Sequence, residues 1–322
     1  MEIVVADIGG THARFALAEV ADGCVEALDD PATLRTAEYA SFQTAWEAFA
    51  QMVGRPLPRA ASIAVACPVR GDVLQLTNNP WVIHPALIGG SLGLDAHVLI
   101  NDFEAVGHAA AQVDASNLRH IAGPDVSLPA LGSISIIGPG TGLGVAQVLR
   151  LGGAVHVLPC EGGHADFAPV DAIDDMVLAN LRQRHRRVSI ERVVSGPGLV
   201  AIYHVLGRIE GRDPVVIDVK ALWTSALARQ DSLASAALDR FCLSLGSVAG
   251  DFALSHGSSG VVVAGGLGLR LADHLPRSGF AARFVAKGRF EAMLAAMPVK
   301  LITHPQPGLF GAAAAFARSQ PC

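Results

Sequence analysis

The stretch Val4–Val20, VVADIGGTHARFALAEV, decides the fold. An apolar run ends in an acid, Asp7, breaks at Gly9-Gly10, and resumes with alternating burial character through Val20. That pattern predicts two strands, Glu2–Asp7 and Ala13–Val20, joined as a hairpin. A second stretch, Ile134–Arg150, reads ISIIGPGTGLGVAQVLR and aligns with the first without gaps at an offset of 130. Gly10 meets Gly140, Thr11 meets Thr141 and Ala16 meets Ala146. The repeat predicts a duplicated fold: two glycine-rich β-turn-β loops facing one another across a cleft.

Outward from each hairpin, strands alternate with helices, which makes the class α/β. After the first come a strand within residues 24–38 and a helix capped by Ser41, with Trp46, Phe49 and Met52 on one face. Buried strands follow at Ser62–Cys67, stopped by Pro68, and at Ala96–Asn101; a helix then runs from Asp102 through Ala111. After the second loop, strands are expected at Ser133–Gly138, Leu143–Leu151, Gly260–Ala264 and Val299–Ile302. Helices fill Asp171–Leu254, and an alanine-rich helix closes the chain at Gly308–Arg318. Turn clusters in 112–130 suggest a domain boundary there. No shorter period is present, which argues against a solenoid or propeller.

Composition narrows the function classes. Of 322 residues, 51% are hydrophobic and 16% charged, enough for a large core and too apolar for disorder. A net charge of −5 gives no electrostatic footprint for nucleic acid or an anionic membrane. The longest suspicious uncharged stretch, Phe252–Leu269, holds five Gly, three Ser and a His, so it reads as a helix end, a loop and a buried strand rather than a span. The N-terminus lacks a basic n-region, so no signal peptide is expected. Five cysteines without CxxC spacing argue against a disulfide framework and a zinc ribbon, and for a reducing cytoplasm. Only Lys220, Lys287 and Lys300 are lysines. Phosphate chemistry in the first 219 residues must therefore use backbone N–H groups, arginine or a metal.

Several motifs could supply chemistry, each with a plain structural alternative. In DIGGTHAR (Asp7–Arg14), Gly9 and Gly10 let the backbone approach an anion, Thr11 adds a hydroxyl, and Asp7 at a strand end could hold a hydrated Mg²⁺; the alternative is a hairpin turn that wants glycine. GPGTGLG (Gly138–Gly144) is a second such turn and lacks the lysine of a Walker loop. Asp102, in INDFEAVG, follows a buried strand at the first turn of a helix: a general base at the carboxyl end of a strand, or an acid favoured by the helix dipole. CEGGHADFAP (Cys160–Pro169) spaces Glu161 and His164 to line one pocket, with Asp166 orienting His164 or capping a turn. Its Cys and His lack the further ligands a metal site needs. ERVVSGPG (Glu191–Gly198) gives another acid and then a helix start with Ser195 as N-cap; that N-terminus could face a nucleotide. AGG (Ala264–Gly266) is a tight strand-to-helix turn or a close approach for adenosine. Gly89–Gly93 fits G-x-S-x-G, but a helical stretch precedes and a strand follows, so it reads as a helix stop rather than a nucleophile elbow.

DIGGTHAR, ACPVRGD, TNNPW, INDFEAVG, GPGTGLGV, CEGGHADFAP, ERVVSGPGL, AGG and PGLFGAA occur in this order from residue 7 to 313. Together they resemble the bacterial ATP-dependent glucokinase family of the hexokinase/actin-like superfamily. The resemblance implies two actin-like (ribonuclease H-like) α/β domains, each a mixed sheet flanked by helices, with the active site in the interdomain cleft. The smaller would be 1–112 plus 303–322, and the larger 113–302. It also implies ATP, Mg²⁺ and glucose as reactants, a cytoplasmic homodimer, and no nucleic-acid or membrane partner. By position, Asp102 matches the family's general base, and Asn101, Glu161, His164 and Glu191 its sugar-hydroxyl ligands. Ala6, Asp7, Ile8, Gly9, Gly10 and Thr11 match its first ATP phosphate loop, and Gly140, Thr141 and Gly142 its second. The related ROK kinases and repressors carry a cysteine-rich zinc motif after the sugar-binding His; here FAPVDAID follows, with no cysteine before Cys242 and no helix-turn-helix ahead of residue 1. The implied reaction moves the γ-phosphoryl of ATP to the glucose 6-hydroxyl. The alternatives are a kinase of the same fold for another hexose (mannose, fructose or an amino sugar), a non-catalytic sugar sensor, and an actin-like filament or chaperone ATPase. The last leaves Glu161, His164 and Glu191 unexplained.

Overall fold

The structure is a computed structural model that describes residues 1–76, 79–212 and 218–320. Thr77 and Asn78 of TNNPW, and Cys322, lie outside the described residues. The chain divides into two compact units, Met1–Asp114 with His304–Cys322, and Ala115–Thr303.

The first unit opens with β1 (Glu2–Ile8), β2 (His12–Ala21), β3 (Cys24–Leu28) and β4 (Ala32–Arg35). It continues through α1 (Phe42–Val53), β5 (Ala60–Val65), the short pair β6 (Leu74–Gln75) and β7 (Val82–Ile83), α2 (Ile88–Leu92), β8 (Ala96–Asn101) and α3 (Asp102–Gln112). The main sheet runs β3-β2-β1-β5-β8, with β4 also paired to β2. β1 is antiparallel to β2 and parallel to β5, which is parallel to β8. The continuous apolar run of β1 has a physical reason: both faces of the sheet are covered. Val4, Ala6 and Ile8 point into a core with Phe15, Phe42, Trp46 and Phe49, while Ile3 and Val5 point into one with Ala105, Leu309 and Phe316.

The second unit contains β9 (Leu118–Ala122), β10 (Gly132–Pro139), β11 (Leu143–Leu151), β12 (Ala154–Cys160), α4 (Ala172–Arg182), α5 (Gly196–Ile209), α6 (Val219–Leu227), α7 (Ser232–Ser255), β13 (Ser258–Val263), α8 (Gly265–Arg270), α9 (Phe280–Val285), α10 (Glu291–Ala295) and β14 (Val299–Ile302). The last helix, α11 (Pro307–Ser319), belongs to the first unit and packs along α3. The second sheet runs β12-β11-β10-β13-β14-β9. In both sheets an antiparallel β-hairpin feeds a parallel partner from later in the chain, β5 for β1 and β13 for β10. The repeat seen in the sequence is thus a repeat of topology. It is not gapless: Ile8 pairs with Ala13, but Pro139 with Leu143, so the second turn is one residue shorter.

Other expectations shift. Residues 24–38 hold two strands, broken at Asp29–Pro31, because both β3 and β4 pair with β2. The Ser62–Cys67 strand is Ala60–Val65, since the Cys67 N–H turns back to the Val65 carbonyl at 2.8 Å. Residues 112–130 contain a strand, β9, held by β14. Met52 is 60% exposed; after Phe42, Ala45, Trp46 and Phe49, the α1 stripe continues through Val53. Ser91 lies inside α2, which ends at Gly93, so G-x-S-x-G is a helix stop. No helix among the described residues is long and apolar enough to cross a membrane.

Candidate active site

In the first unit, the turn between β1 and β2 is shaped by where its carbonyls go. The Gly9 carbonyl accepts from Asn79 Nδ2 at 3.2 Å, that of Gly10 from Thr36 Oγ1 at 2.9 Å, and that of Thr11 from the Thr36 N–H at 3.1 Å. With the negative ends of the peptides held, the Gly10 and Thr11 amides face away from these partners, and no carbonyl accepts from either among the described residues. Successive free N–H groups of this kind suit an anion. Ala6 and Ile8 are fully buried in the core, so what remains for a ligand is Asp7 and Gly9–Thr11. Asp7 sits opposite Arg14, whose Nη1 donates to its Oδ2 at 3.1 Å. Burial pushes the Asp7 carboxyl up, and Arg14 opposes that rise.

Two strands across that sheet, β8 delivers Asn101 and Asp102 to the start of α3. Asn101 is the N-cap: its Oδ1 accepts from the N–H of Phe103 at 2.8 Å and of Glu104 at 3.3 Å, and Glu104 returns a bond to the Asn101 N–H. Its Nδ2 donates to the Cys67 carbonyl at 3.2 Å, tying the helix start to the end of β5. The Asn101 amide is therefore largely engaged by the protein. Asp102 is half-buried at the first helical position, and its Oδ1 accepts from the Phe103 N–H at 2.9 Å. A carboxylate there is favoured by the N-terminal end of the helix dipole.

In the second unit, the β10–β11 turn is closed by the Gly140 N–H donating to the Gly142 carbonyl at 2.8 Å. The Gly140 carbonyl accepts from the Gly196 N–H at 2.8 Å, so the start of α5 rests on this turn, with Ser195 Oγ as its cap. Glu191 reaches the same turn: its Oε2 accepts from the Leu143 N–H at 3.1 Å. A Cβ on Gly142 would lie 2.3 Å from that oxygen, so a side chain at 142 and this carboxylate position exclude each other.

The Glu161–His164 turn meets the same residue from another side. A Cβ at Gly163 would lie 2.2 Å from the Leu143 carbonyl oxygen. Leu143 thus offers its N–H to Glu191 and its carbonyl face to the turn carrying Glu161 and His164, both exposed. Leu143 was not among the sequence candidates; a backbone contact leaves no mark in residue type. Asp166 accepts from Arg187 Nε at 2.5 Å and bridges to Ser189, so its observed partner is Arg187, and it braces the main chain instead of the His164 ring. A cavity of about 270 Å³ opens beside Thr141, Glu191 and Ser195. Arg184 and His204, outside every motif, and Arg192, inside ERVVSGPG but given no role there, also line it. The Gly265 turn stacks on the strand carrying this loop, the Ala264 N–H donating to the Ile137 carbonyl at 2.8 Å. Among the described residues, no group of three or more His, Cys, Asp or Glu side chains could hold a metal ion.

Comparison with known proteins supplies the remaining finding. A family model described as Glucokinase matches residues 4–319. The glucokinase of Zymomonas mobilis subsp. mobilis is 61% identical over 317 residues, covering 98% of each chain. The crystal structure of a glucokinase from an Antarctic psychrotroph superposes with a TM-score of 0.87 at 33% identity, covering 99% of each chain. That of Balamuthia mandrillaris glucokinase in complex with glucose superposes at 0.78 over 99% of this chain and 94% of that one; at 21% identity the likeness speaks for the fold alone. The fold is the actin-like α/β architecture that the motifs implied.

Proposed function

We propose a mechanism from one premise: the chain belongs to the glucokinase family. It is an enzyme that phosphorylates glucose, with ATP as donor. The observation that carries the site reading is the meeting at Leu143, where Glu191 and the Glu161–His164 turn gather around one residue of the second loop. Glu191 and the turn that carries the exposed Glu161 and His164 both meet the second loop at this residue, and all three polar groups lie outside the core. That is the chemistry needed to read sugar hydroxyls next to a transferring phosphate.

A sugar hydroxyl does not ionise near neutral pH. Asp102 orients the 6-hydroxyl and takes its proton as the new P–O bond forms; the helix start that holds its carboxylate also aims it. Charge spread over the phosphoryl oxygens meets the Gly10 and Thr11 amides and the Gly140–Gly142 turn, in loops without lysine. Glu161, His164, Glu191 and Asn101 hold the other hydroxyls, Asn101 through what its capping role leaves over. The cavity beside Thr141 and Ser195 takes the nucleoside end of ATP, with Pro197, Val200 and Val219 as its apolar wall.

Mg²⁺ fits this donor set as a nucleotide-borne ion. It needs oxygen ligands and commonly binds through one or two carboxylates plus phosphates, and Asp7 is a single carboxylate at the end of β1. Asp7 would hold it, and when bound it neutralises phosphate charge. The same reading makes the protein a cytoplasmic homodimer, supported by the family resemblance; sedimentation velocity tests the assembly. The mechanism is tested by Asp102→Asn. Expected is a fall in kcat of about 10²–10⁴-fold with glucose still bound; kcat near wild type would remove Asp102 from its role. ADP release measured beside mannose, fructose and N-acetylglucosamine gives the acceptor preference.

A further inference from the structure

The turn that carries His164 is held from outside by a short ladder. The Ile190 N–H donates to the Ala165 carbonyl at 2.8 Å, the Phe167 N–H to the Val188 carbonyl at 3.1 Å, and Asp166 pairs with Ser189. Arg187 finishes this ladder with its side chain. Its Nε donates to Asp166 Oδ1 at 2.5 Å and its Nη2 donates to the carbonyl oxygen of His164. A guanidinium presents these N–H groups in a rigid planar fork. The fork therefore fixes the His164 carbonyl relative to the Asp166 carboxylate, and with it the direction in which the imidazole leaves the main chain.

The ion pair is badly placed to serve the global fold. The Arg187 side chain is 60% exposed and that of Asp166 73%, and such pairs add little to stability. Its effect is local, on a turn whose two polar side chains, Glu161 and His164, are themselves exposed and find little packing to hold them. Arg187 also lies four residues before Glu191, on the segment that carries that second acid. We infer that Arg187 is a positioning residue for sugar binding: it touches no reactant and sets His164 against the segment leading to Glu191. The inference rests on the reading of His164 as a sugar ligand given above, and the experiment separates the two.

The test is steady-state kinetics and thermal melting of the full chain with Arg187→Ala, Arg187→Lys, His164→Ala and the double variant Arg187→Ala/His164→Ala. Arg187→Ala is expected to raise the glucose KM about tenfold, because a ligand displaced by a fraction of an ångström loses much of its worth. Its kcat and ATP KM should stay within about threefold, and its melting midpoint within about 2 °C, as for any exposed pair. Arg187→Lys should recover only part of the glucose KM, since an ammonium keeps the charge and loses the fork. In the double variant the glucose KM should be close to that of His164→Ala alone, because both changes act through one imidazole. A double variant whose KM equals the product of the two single effects would overturn the inference. So would an unchanged glucose KM in Arg187→Ala beside a raised one in His164→Ala, or a large drop in melting point with loss of kcat, which would make Arg187 merely structural. An unchanged KM in His164→Ala removes the sugar-ligand reading itself, and this inference with it.

Discussion

Gly142→Ala puts the proposed coupling between sugar and phosphate loop to a quantitative test. The φ of Gly142 lies outside the left-handed region, so alanine brings no backbone strain there. Its cost comes from one contact. The new methyl would stand 2.3 Å from Glu191 Oε2 and 3.0 Å from Cδ. Ordinary contact begins near 3.4 Å, so the carboxylate must retreat by about 1 Å. A retreat of that size away from the turn stretches the 3.1 Å bond from the Leu143 N–H to about 4 Å, beyond hydrogen-bond range. Glu191 is half-buried, so water replaces much of what the protein loses, and the stability cost should stay near 1 kcal/mol. The catalytic cost is larger, because a ligand moved by 1 Å can lose about 10²-fold, or about 2.7 kcal/mol of transition-state stabilisation. Glucose kcat/KM, measured by coupled ADP release at saturating ATP, should therefore fall between tenfold and a hundredfold. Gly140→Ala is the companion: a Cβ there meets nothing in the protein within 4 Å, so the variant should fold normally. On the proposed reading its methyl would stand where phosphate approaches, so the ATP KM should rise while the glucose KM, measured at saturating ATP, holds. If Gly142→Ala keeps glucose kcat/KM within twofold of wild type, the reasoning that places Glu191 at the sugar is refuted.

Two further perturbations concern the helix pair behind Asp102. At Gly311 in α11 a Cβ would lie 1.7 Å from the Ala105 carbonyl oxygen of α3, and backbone cannot swing aside. Gly311→Ala should cost about 1–3 kcal/mol or more as overpacking, lower the melting midpoint by several degrees, and reduce kcat because α3 begins at Asp102; an unchanged calorimetric midpoint would contradict this packing. His108, also on α3, has its imidazole pushed down to about 4 by burial, with Arg318 adding to the effect. A depressed folded pKa means the unfolded chain binds the proton first. The stability this contributes is complete above about pH 6.5 and is lost as pH falls towards 4, up to about 3 kcal/mol over that window. Urea midpoints between pH 7 and 4.5 should fall less steeply in a His108→Gln variant than in wild type; parallel slopes would remove His108 from the acid response.

Much of this was legible in the sequence because local chemistry and global fold agree. The apolar run of β1 and the Ser41 and Ser195 caps are written in residue type at short range. So is the extended-to-helical break at Asn101-Asp102, where an Asn that caps precedes an acid that the helix end favours. What stayed hidden depends on partners far along the chain. β9 is a strand because β14, almost two hundred residues later, supplies its ladder; alone, Leu118–Ala122 is too short to declare itself. β12 lies at a sheet edge, exposed through most of its length, so no apolar pattern announces it. The one-residue register difference between the two hairpins is invisible to an alignment that matches Gly-Thr with Gly-Thr. In the candidate site, Glu161, His164 and Glu191 stand out by residue type, but the point where Glu191 and the turn carrying Glu161 and His164 meet, Leu143, does not, since it is made of backbone.

That meeting place bears on how sugar and phosphate could be linked without a lysine in either loop. Leu143 directly follows the Gly140–Gly142 turn, and its N–H is bound to one oxygen of Glu191. If the other oxygen takes a sugar hydroxyl, the sugar and the turn share a single carboxylate. Whatever free energy the sugar spends in fixing Glu191 also fixes the Leu143 amide, and with it the turn. Linkage then requires the converse: phosphate held by the turn must tighten sugar binding by the same factor. A loop that grips phosphate through a lysine would bind nucleotide whether or not sugar were present. A loop of backbone amides, steadied by an acid that on this reading also binds sugar, would be at its best only when both reactants are in place. Such an arrangement favours transfer to the sugar over transfer to water, because the phosphate site is least complete when the sugar is absent.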